Sequence, residues 1–229
     1  MWLCNAVLLL TAGALGQLQA QPGSTARERY TMIDKDSLAR RVDPSNGDTA
    51  QMIRAEETQL RQYETPFFRQ GSIYRVTHFL PQHPVIMVFG CAEPNFTIPL
   101  ANNPEAFFEL AKQAGLDLSS ASLRLAYVES FLETTRNMSQ RFQVLRSYSE
   151  IKIINRASDE EVARYKQLEG KFGPLIRPPK VSDQAPWSVS LYALKAQDLV
   201  EITAKLFPDG KVETGITVLE KNMPINTMK

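Results

Sequence analysis

The sequence predicts an α+β fold in which an antiparallel sheet of about six strands packs against three or four helices. Two observations favour this class. Segments of alternating apolar and polar residues, typical of half-buried strands, flank segments in which apolar residues recur at helical spacing. The C-terminal part of the chain then alternates through several strands joined by short turns, as in a β-meander.

The first predicted elements are a helix and two strands. Apolar residues from Asp48 to Tyr63 are sparse but helically spaced, and Thr65-Pro66 would end that helix. The alternation from Ser72 to Leu80 predicts a strand with one buried face. The apolar run from Val85 to Phe89 predicts a strand buried on both faces, reached through a turn at Pro81–Pro84.

Three helices and a strand are predicted in the middle of the chain. Asn103-Pro104 combines an N-cap with a proline at the first helical position, and the helix that follows ends before Gly115. Residues 120–136 carry one apolar stripe and predict a second helix. Residues 142–154 contain a strand with a bend. Ser158-Asp159-Glu160-Glu161 is a capping box, which predicts the third helix.

A hairpin forms the centre of the predicted C-terminal meander. Pro208-Asp209-Gly210 predicts its turn, and the residues on both arms alternate in the same sense about it. This agreement predicts that the apolar face of both arms is structural. The positions expected in the core are Val200, Ile202, Leu206, Val212, Ile216 and Val218.

Three segments are predicted along the chain. Residues 1–20 carry no charged side chain and predict a signal peptide. Residues 21–46 are polar, with few large apolar side chains, and predict a flexible leader. Residues 47–229 predict a single α+β domain.

The signal peptide prediction depends on an apolar stretch from Leu3 to Leu15 that is followed by small residues. The stretch is shorter than the roughly 20 apolar residues that cross a bilayer. Cleavage after Gly16 or after Ala20 fits the small residues. The protein is therefore expected to be secreted or periplasmic.

Charge excludes two classes of partner. The chain has 26 basic and 25 acidic side chains, so no sign imbalance would attract nucleic acid or an anionic membrane surface. No apolar run after the predicted signal peptide is long enough to cross a membrane. The expected partner is an unknown protein or a small apolar ligand.

Cys91 is the one candidate nucleophile. Cys4 would be removed with the signal peptide, which leaves Cys91 without a disulfide partner. A thiolate needs a base, and His78 and His83 are the two histidines of the chain. Strand alternation places Cys91 on an apolar face, which favours a buried, inert thiol.

No catalytic, cofactor-binding or metal-binding residue can be assigned from motifs. The chain lacks a Gly-x-Ser-x-Gly elbow, a phosphate-binding glycine loop and a dinucleotide fingerprint. His78 and His83 are too few and too poorly spaced for a metal site. Carboxylates are plentiful, and Glu129, Glu133 and Arg136 have the spacing of helix-surface neighbours.

Two further sets of residues carry weaker signals. Asn95 and Asn137 begin triplets that match the N-glycosylation pattern. The aromatic pairs Phe67-Phe68 and Phe107-Phe108 could line a ligand cavity, but their spacing is more typical of core.

These observations favour an exported soluble domain that binds a partner and has no catalytic role. The partner would bind through the sheet or the polar leader, and a small apolar ligand would bind between sheet and helices. A secreted hydrolase that uses carboxylates, or Cys91 with a histidine, is the first alternative. An envelope or extracellular scaffold is the second, and a long exposed edge strand or a broad apolar patch would favour it.

Overall fold

Two antiparallel sheets form the framework of the protein, where the sequence predicted one. The computed structural model describes residues 34–225, so the predicted signal peptide lies outside the described residues. The first sheet has the order β1-β2-β3-β4, with β1 at Thr58–Tyr63, β2 at Gly71–His78, β3 at Val85–Ala92 and β4 at Phe96–Pro99. The second has the order β5-β7-β8-β9, with β5 at Phe142–Leu145, β6 at Lys180–Val181, β7 at Trp187–Lys195, β8 at Asp198–Leu206 and β9 at Val212–Glu220; β6 also pairs with β7.

Five α-helices accompany the sheets within the described residues. They are α1 (Lys35–Val42), α2 (Gly47–Arg54), α3 (Pro104–Ala114), α4 (Ala121–Thr134) and α5 (Asp159–Phe172). Two of the predicted caps are confirmed. The Asn103 side chain accepts a hydrogen bond from the Ala106 N–H at 3.2 Å, and Ser158 and Glu161 form the reciprocal capping box.

Helices α3 and α4 lie in sequence between the last strand of the first sheet and the first strand of the second. Helix α3 packs on β2, β3 and β4, whereas α4 packs on β6 and β8. The two helices meet through aromatic rings, with the Phe107 centroid 5.2 Å from that of Tyr127 and 5.5 Å from that of Phe131. One core cluster therefore contains residues of both sheets and both helices.

Helices α1 and α2 cover the opposite face of the first sheet. Leu38, Val42 and Ile53 are buried there against Val76 and Phe89. Residues 21–33 of the leader predicted for residues 21–46 lie outside the described residues, and α1 lies within the remainder and contributes three buried residues. The apolar residues of α1 are too few to predict burial, but one face of a short helix is enough to cover a sheet.

The predicted helix Asp48–Tyr63 is correct only in its first half. Helix α2 ends at Arg54, and the chain becomes extended at Ala55, where ψ is 148°. Residues 58–63 then form β1, each paired with a residue of β2. Glutamine and arginine favour helices weakly in isolation, and pairing with an existing sheet overrides that preference.

The predicted C-terminal hairpin is confirmed, but two of its six predicted core residues are not buried. Val200, Ile202, Leu206 and Val212 are buried as expected. Ile216 and Val218 remain 48% and 46% exposed. Alternation identifies the face on which a side chain lies, and it does not show whether another element covers that face.

We expect Ile202→Ala and Ile216→Ala to differ strongly in stability, although the two residues pair across β8 and β9. Truncating Ile202, which is 1% exposed, leaves a cavity and typically costs about 2–5 kcal/mol. Truncating the half-exposed Ile216 should cost about 1 kcal/mol or less. Urea unfolding in dilute solution measures both, and equal losses would contradict the burial described here.

Candidate functional site

The most distinctive surface is the outer edge of β9. Within residues 34–225 this strand pairs with β8, and no described strand lies on its other side. At the turn, the Phe207 N–H donates to the Lys211 carbonyl at 2.9 Å, so these two residues form a hydrogen-bonded pair. Because hydrogen-bonded and non-hydrogen-bonded pairs alternate along an antiparallel ladder, the odd-numbered residues of β9 face β8 and the even-numbered residues face away from it. The backbone groups that face away from β8, which we call the open edge, belong to Val212, Thr214, Ile216 and Val218.

Two apolar side chains lie at this edge without cover. Ile216 and Val218 lie on the core face of the sheet, opposite the buried Ile202 and Val200 of β8. Helix α4 packs on β8, and it leaves the core face of β9 about half exposed at these two positions. A strand added at the open edge would extend the sheet and bury more of both side chains.

Charges lie at the two ends of β9 and are paired within the chain. The Lys211 Nζ is 2.9 Å from Glu213 Oε1, and Glu220 contacts Arg164 at 3.2 Å. Between Glu213 and Glu220 the strand has no charged residue and no proline. Natural edge strands are usually protected by such residues, and the middle of β9, from Thr214 to Val218, has neither.

The other face of β9 borders a polar groove on the outer face of the second sheet. The groove has a volume of about 610 Å³. Its side chains come from the ends of β7 and β8 and from β9, and they include Ser188, Ser190, Thr203, Lys205 and Glu213, with Gly215 beside them. The sheet is therefore accessible on its outer face next to the open edge.

A buried hydrogen bond fixes the β8–β9 hairpin to the core. The Tyr127 hydroxyl donates to the Gly210 carbonyl at 2.7 Å, and burial raises the pKa of this phenol. Gly210 has a φ of +89°, a conformation that glycine adopts without strain. The turn, and with it the start of β9, is therefore held in one position.

The structure separates Cys91 from both histidines. Cys91 pairs with Ser72 and His78 pairs with Val85, so the two positions are six residues apart along β2. At about 3.4 Å per residue this corresponds to about 20 Å. His83 is exposed in the β2–β3 loop, beyond His78. The strand positions therefore place Cys91 outside hydrogen-bonding reach of His78.

Cys91 is a buried thiol, as its strand position predicted. It is 4% exposed and packs in the cluster of α1, α2 and the first sheet. The Thr97 hydroxyl donates to its Sγ at 3.6 Å. Burial raises the pKa of the Cys91 thiol, which disfavours the reactive thiolate.

His78, Glu129 and Glu133 are used in structural contacts. His78 Nδ1 lies 2.9 Å from the Thr58 hydroxyl. Glu129 pairs with Arg146 at 3.0 Å in a largely buried contact, and burial raises the pKa of Glu129 despite this partner. Arg136 pairs with Glu133 at 2.9 Å, as their helical spacing predicted. In the described part of the chain, no three His, Cys, Asp or Glu residues come together as metal ligands would.

The two aromatic pairs belong to the core. Phe67, Phe68 and Phe107 are buried, and Phe108 stacks on Phe131 with 5.4 Å between ring centroids. These rings fill the region between the helices and the sheets. This packing favours a protein partner over a small apolar ligand between sheet and helices.

The remaining sequence signals lie on the surface. Asn95 is exposed in the β3–β4 turn, and Asn137 is exposed after α4, where its Oδ1 accepts hydrogen bonds from Ser139. Glycosylation of either asparagine stays a prediction. Phe79 and Leu80 form a second exposed apolar site at the tip of the β2–β3 hairpin, at 46% and 43%.

Comparison with known proteins assigns no family. No protein-family model, no curated protein and no solved structure matches this chain. Among the described residues, none belongs to a helix with the length and apolar character needed to cross a membrane.

Sequence analysis assigned Ile216 and Val218 to the core and so missed the open edge. One signal was present: β9 is the last strand of the meander, and the last strand of a meander lies at a sheet edge unless another segment covers it.

We expect Cys91 to react slowly with thiol reagents in the folded protein at neutral pH. The reasons are its burial and its raised pKa. The rate is measured with a chromogenic disulfide in a chain carrying Cys4→Ser, with and without denaturant. Thr217→Cys in the same background supplies an exposed thiol as the control and should react at least about 100-fold faster. Equal rates for the two thiols in the folded state would contradict the burial of Cys91.

Proposed function

We propose that this protein is an exported, non-catalytic interaction module that binds another polypeptide by strand addition at the open edge of β9. The observation that carries the proposal is a nine-residue strand that no other described strand covers on its outer side and whose exposed apolar side chains continue the core face of the sheet. Strand addition obtains affinity from main-chain hydrogen bonds and specificity from alternate side chains. The open edge offers both.

Two features make the edge suited to binding. Its outward backbone groups would gain hydrogen bonds that are shielded from water, and Ile216 and Val218 would lose exposed apolar surface. The hairpin is also held by the Tyr127–Gly210 hydrogen bond, so little ordering of the strand itself would oppose binding. An assembly or scaffold role uses the same edge and is included in this proposal.

Export is supported by the sequence. The uncharged N-terminal segment with its apolar stretch has the composition of a signal peptide, and the mature chain would keep a single, buried cysteine. A core built from packed aromatic and aliphatic residues supplies stability without a disulfide.

Edge-blocked variants should lose binding to strand-forming peptides. Thr214→Pro removes an N–H that faces away from β8, so the β8–β9 ladder is kept while an added strand loses a donor and meets the proline ring. A displayed library of extended peptides with alternating polarity is selected on the wild-type protein. We expect the selected peptides to bind Thr214→Pro at least about tenfold more weakly, which is about 1.4 kcal/mol.

Lys205→Ala is the control for this measurement, because Lys205 lines the polar groove and lies away from the open edge. Its affinities should stay within about twofold of wild type. Circular dichroism establishes that both variants are folded. Peptides that bind Thr214→Pro as tightly as the wild-type protein would show that the edge is not the binding surface.

The exported form should begin at Gln17 or Gln21, the residues that follow the two predicted cleavage positions. N-terminal sequencing of protein recovered from the medium or periplasm tests this. Recovery of a chain that begins at Met1 from a membrane fraction would contradict export by a cleaved signal peptide.

A further inference from the structure

We propose that the polypeptide bound at the open edge is β9 of a second copy of this chain, paired antiparallel about a two-fold axis through Gly215. This inference rests on the proposed function and names its partner. A two-fold interface uses the same surface on both subunits, so the strand must be complementary to its own reversed sequence.

The straight part of β9 meets this requirement. Val212–Val218 reads V-E-T-G-I-T-V, and the four residues that carry the outward-facing backbone groups are all β-branched: Val212, Thr214, Ile216 and Val218. Antiparallel pairing about that residue places Val212 opposite the copy's Val218 and Thr214 opposite its Ile216. Both exposed apolar residues thereby gain a β-branched neighbour on the core face, the kind of cross-strand pair that stabilises sheets.

The backbone pattern fits the same axis. The outward-facing groups belong to even-numbered residues, and pairing about Gly215 joins even-numbered residues to even-numbered residues. Two neighbouring strands of this length would exchange about eight hydrogen bonds over the segment. The sheet would then continue from β8 and β9 of one copy into β9 and β8 of the other.

Gly215 is suited to the position on the axis. Odd-numbered residues of β9 would form the non-hydrogen-bonded pairs, in which opposite Cα atoms approach to about 4.5 Å. A glycine inside a strand weakens that strand, and it often marks the close approach of another backbone. Within the chain, a Cβ at Gly215 would lie 3.0 Å from the Thr203 Oγ1. The Thr203 side chain can rotate away from such a Cβ, so this contact alone does not require glycine at position 215.

Charge disfavours an axis at Ile216, and the irregular end of the strand disfavours an axis at Thr217. The axis at Gly215 places Glu213 opposite the copy's Thr217. An axis at Ile216 would place Lys211 opposite the copy's Lys221, and like charges directly opposite destabilise a sheet. An axis at Thr217 would extend the pairing past Val218, where the register of β9 shifts against β8 and the edge is irregular.

The register is tested by disulfide cross-linking in the full chain carrying Cys4→Ser. Glu213 and Thr217 are both exposed, and in the proposed pairing each lies opposite the other in the second copy. The double variant Glu213→Cys/Thr217→Cys should form a covalent dimer under mild oxidation, because opposite Cα atoms lie within disulfide range. Glu213→Cys and Thr217→Cys alone should not, since identical residues would lie about 14 Å apart.

Cross-linking by Thr217→Cys alone would place the axis at Thr217 and overturn the register. Absence of a covalent dimer for the double variant, with edge-selected peptides still bound by the wild-type protein, would overturn the second copy as partner and leave the proposed function standing. Absence of both would overturn the proposed function as well.

Two substitutions of opposite charge at Thr217 test the same pairing by a second measurement, the dimer dissociation constant. Thr217→Glu places a second carboxylate opposite the copy's Glu213 twice per dimer, whereas Thr217→Lys places an ammonium there. Sedimentation equilibrium at low ionic strength should show a dimer dissociation constant at least tenfold higher for Thr217→Glu than for Thr217→Lys. Equal constants, or a monomeric wild-type protein up to about 1 mM, would overturn the proposal.

Discussion

The position of α4 determines which side chains of the second sheet are buried. The Tyr127 hydroxyl holds the helix to the Gly210 carbonyl at 2.7 Å. Near the start of the helix, the Arg124 guanidinium lies 4.3 Å from the centre of the Trp187 ring, and in its second half Glu129 pairs with Arg146 at 3.0 Å. These contacts set the helix over β6 and β8, and because a helix covers a limited width of sheet, the core face of β9 from Thr214 to Val218 lies beyond it.

An uncovered edge has consequences for the whole molecule. Its apolar side chains and unpaired backbone groups would favour aggregation unless another strand pairs with the edge. The middle of β9 has no charged residue and no proline to oppose such pairing. Two groups that sequence analysis considered for chemistry are engaged in structure: Cys91 lies in a core cluster, and Glu129 is paired with an arginine.

Much of the fold follows from local sequence patterns. The caps at Asn103 and Ser158 and the turn at Gly210 were predictable because each depends on residues adjacent in the chain. The division into two sheets, the strand at residues 58–63 and the exposure of Ile216 were not predictable, because each depends on which distant element packs where. The candidate site was missed for that reason. Alternation shows on which face of the sheet a side chain lies, and it does not show whether another element packs on that face.

Amide hydrogen exchange along β9 tests the central claim most directly, because it reports whether the open edge is unpaired and whether it becomes occupied. In dilute solution the amides of Thr214 and Ile216, which face away from β8, should exchange fast, while those of Gly215 and Thr217, bonded to β8, exchange slowly. At high protein concentration, or with a bound strand peptide, all four should become slow. Fast exchange of Thr214 and Ile216 under every condition, or slow exchange of both at the highest dilution, would contradict the account.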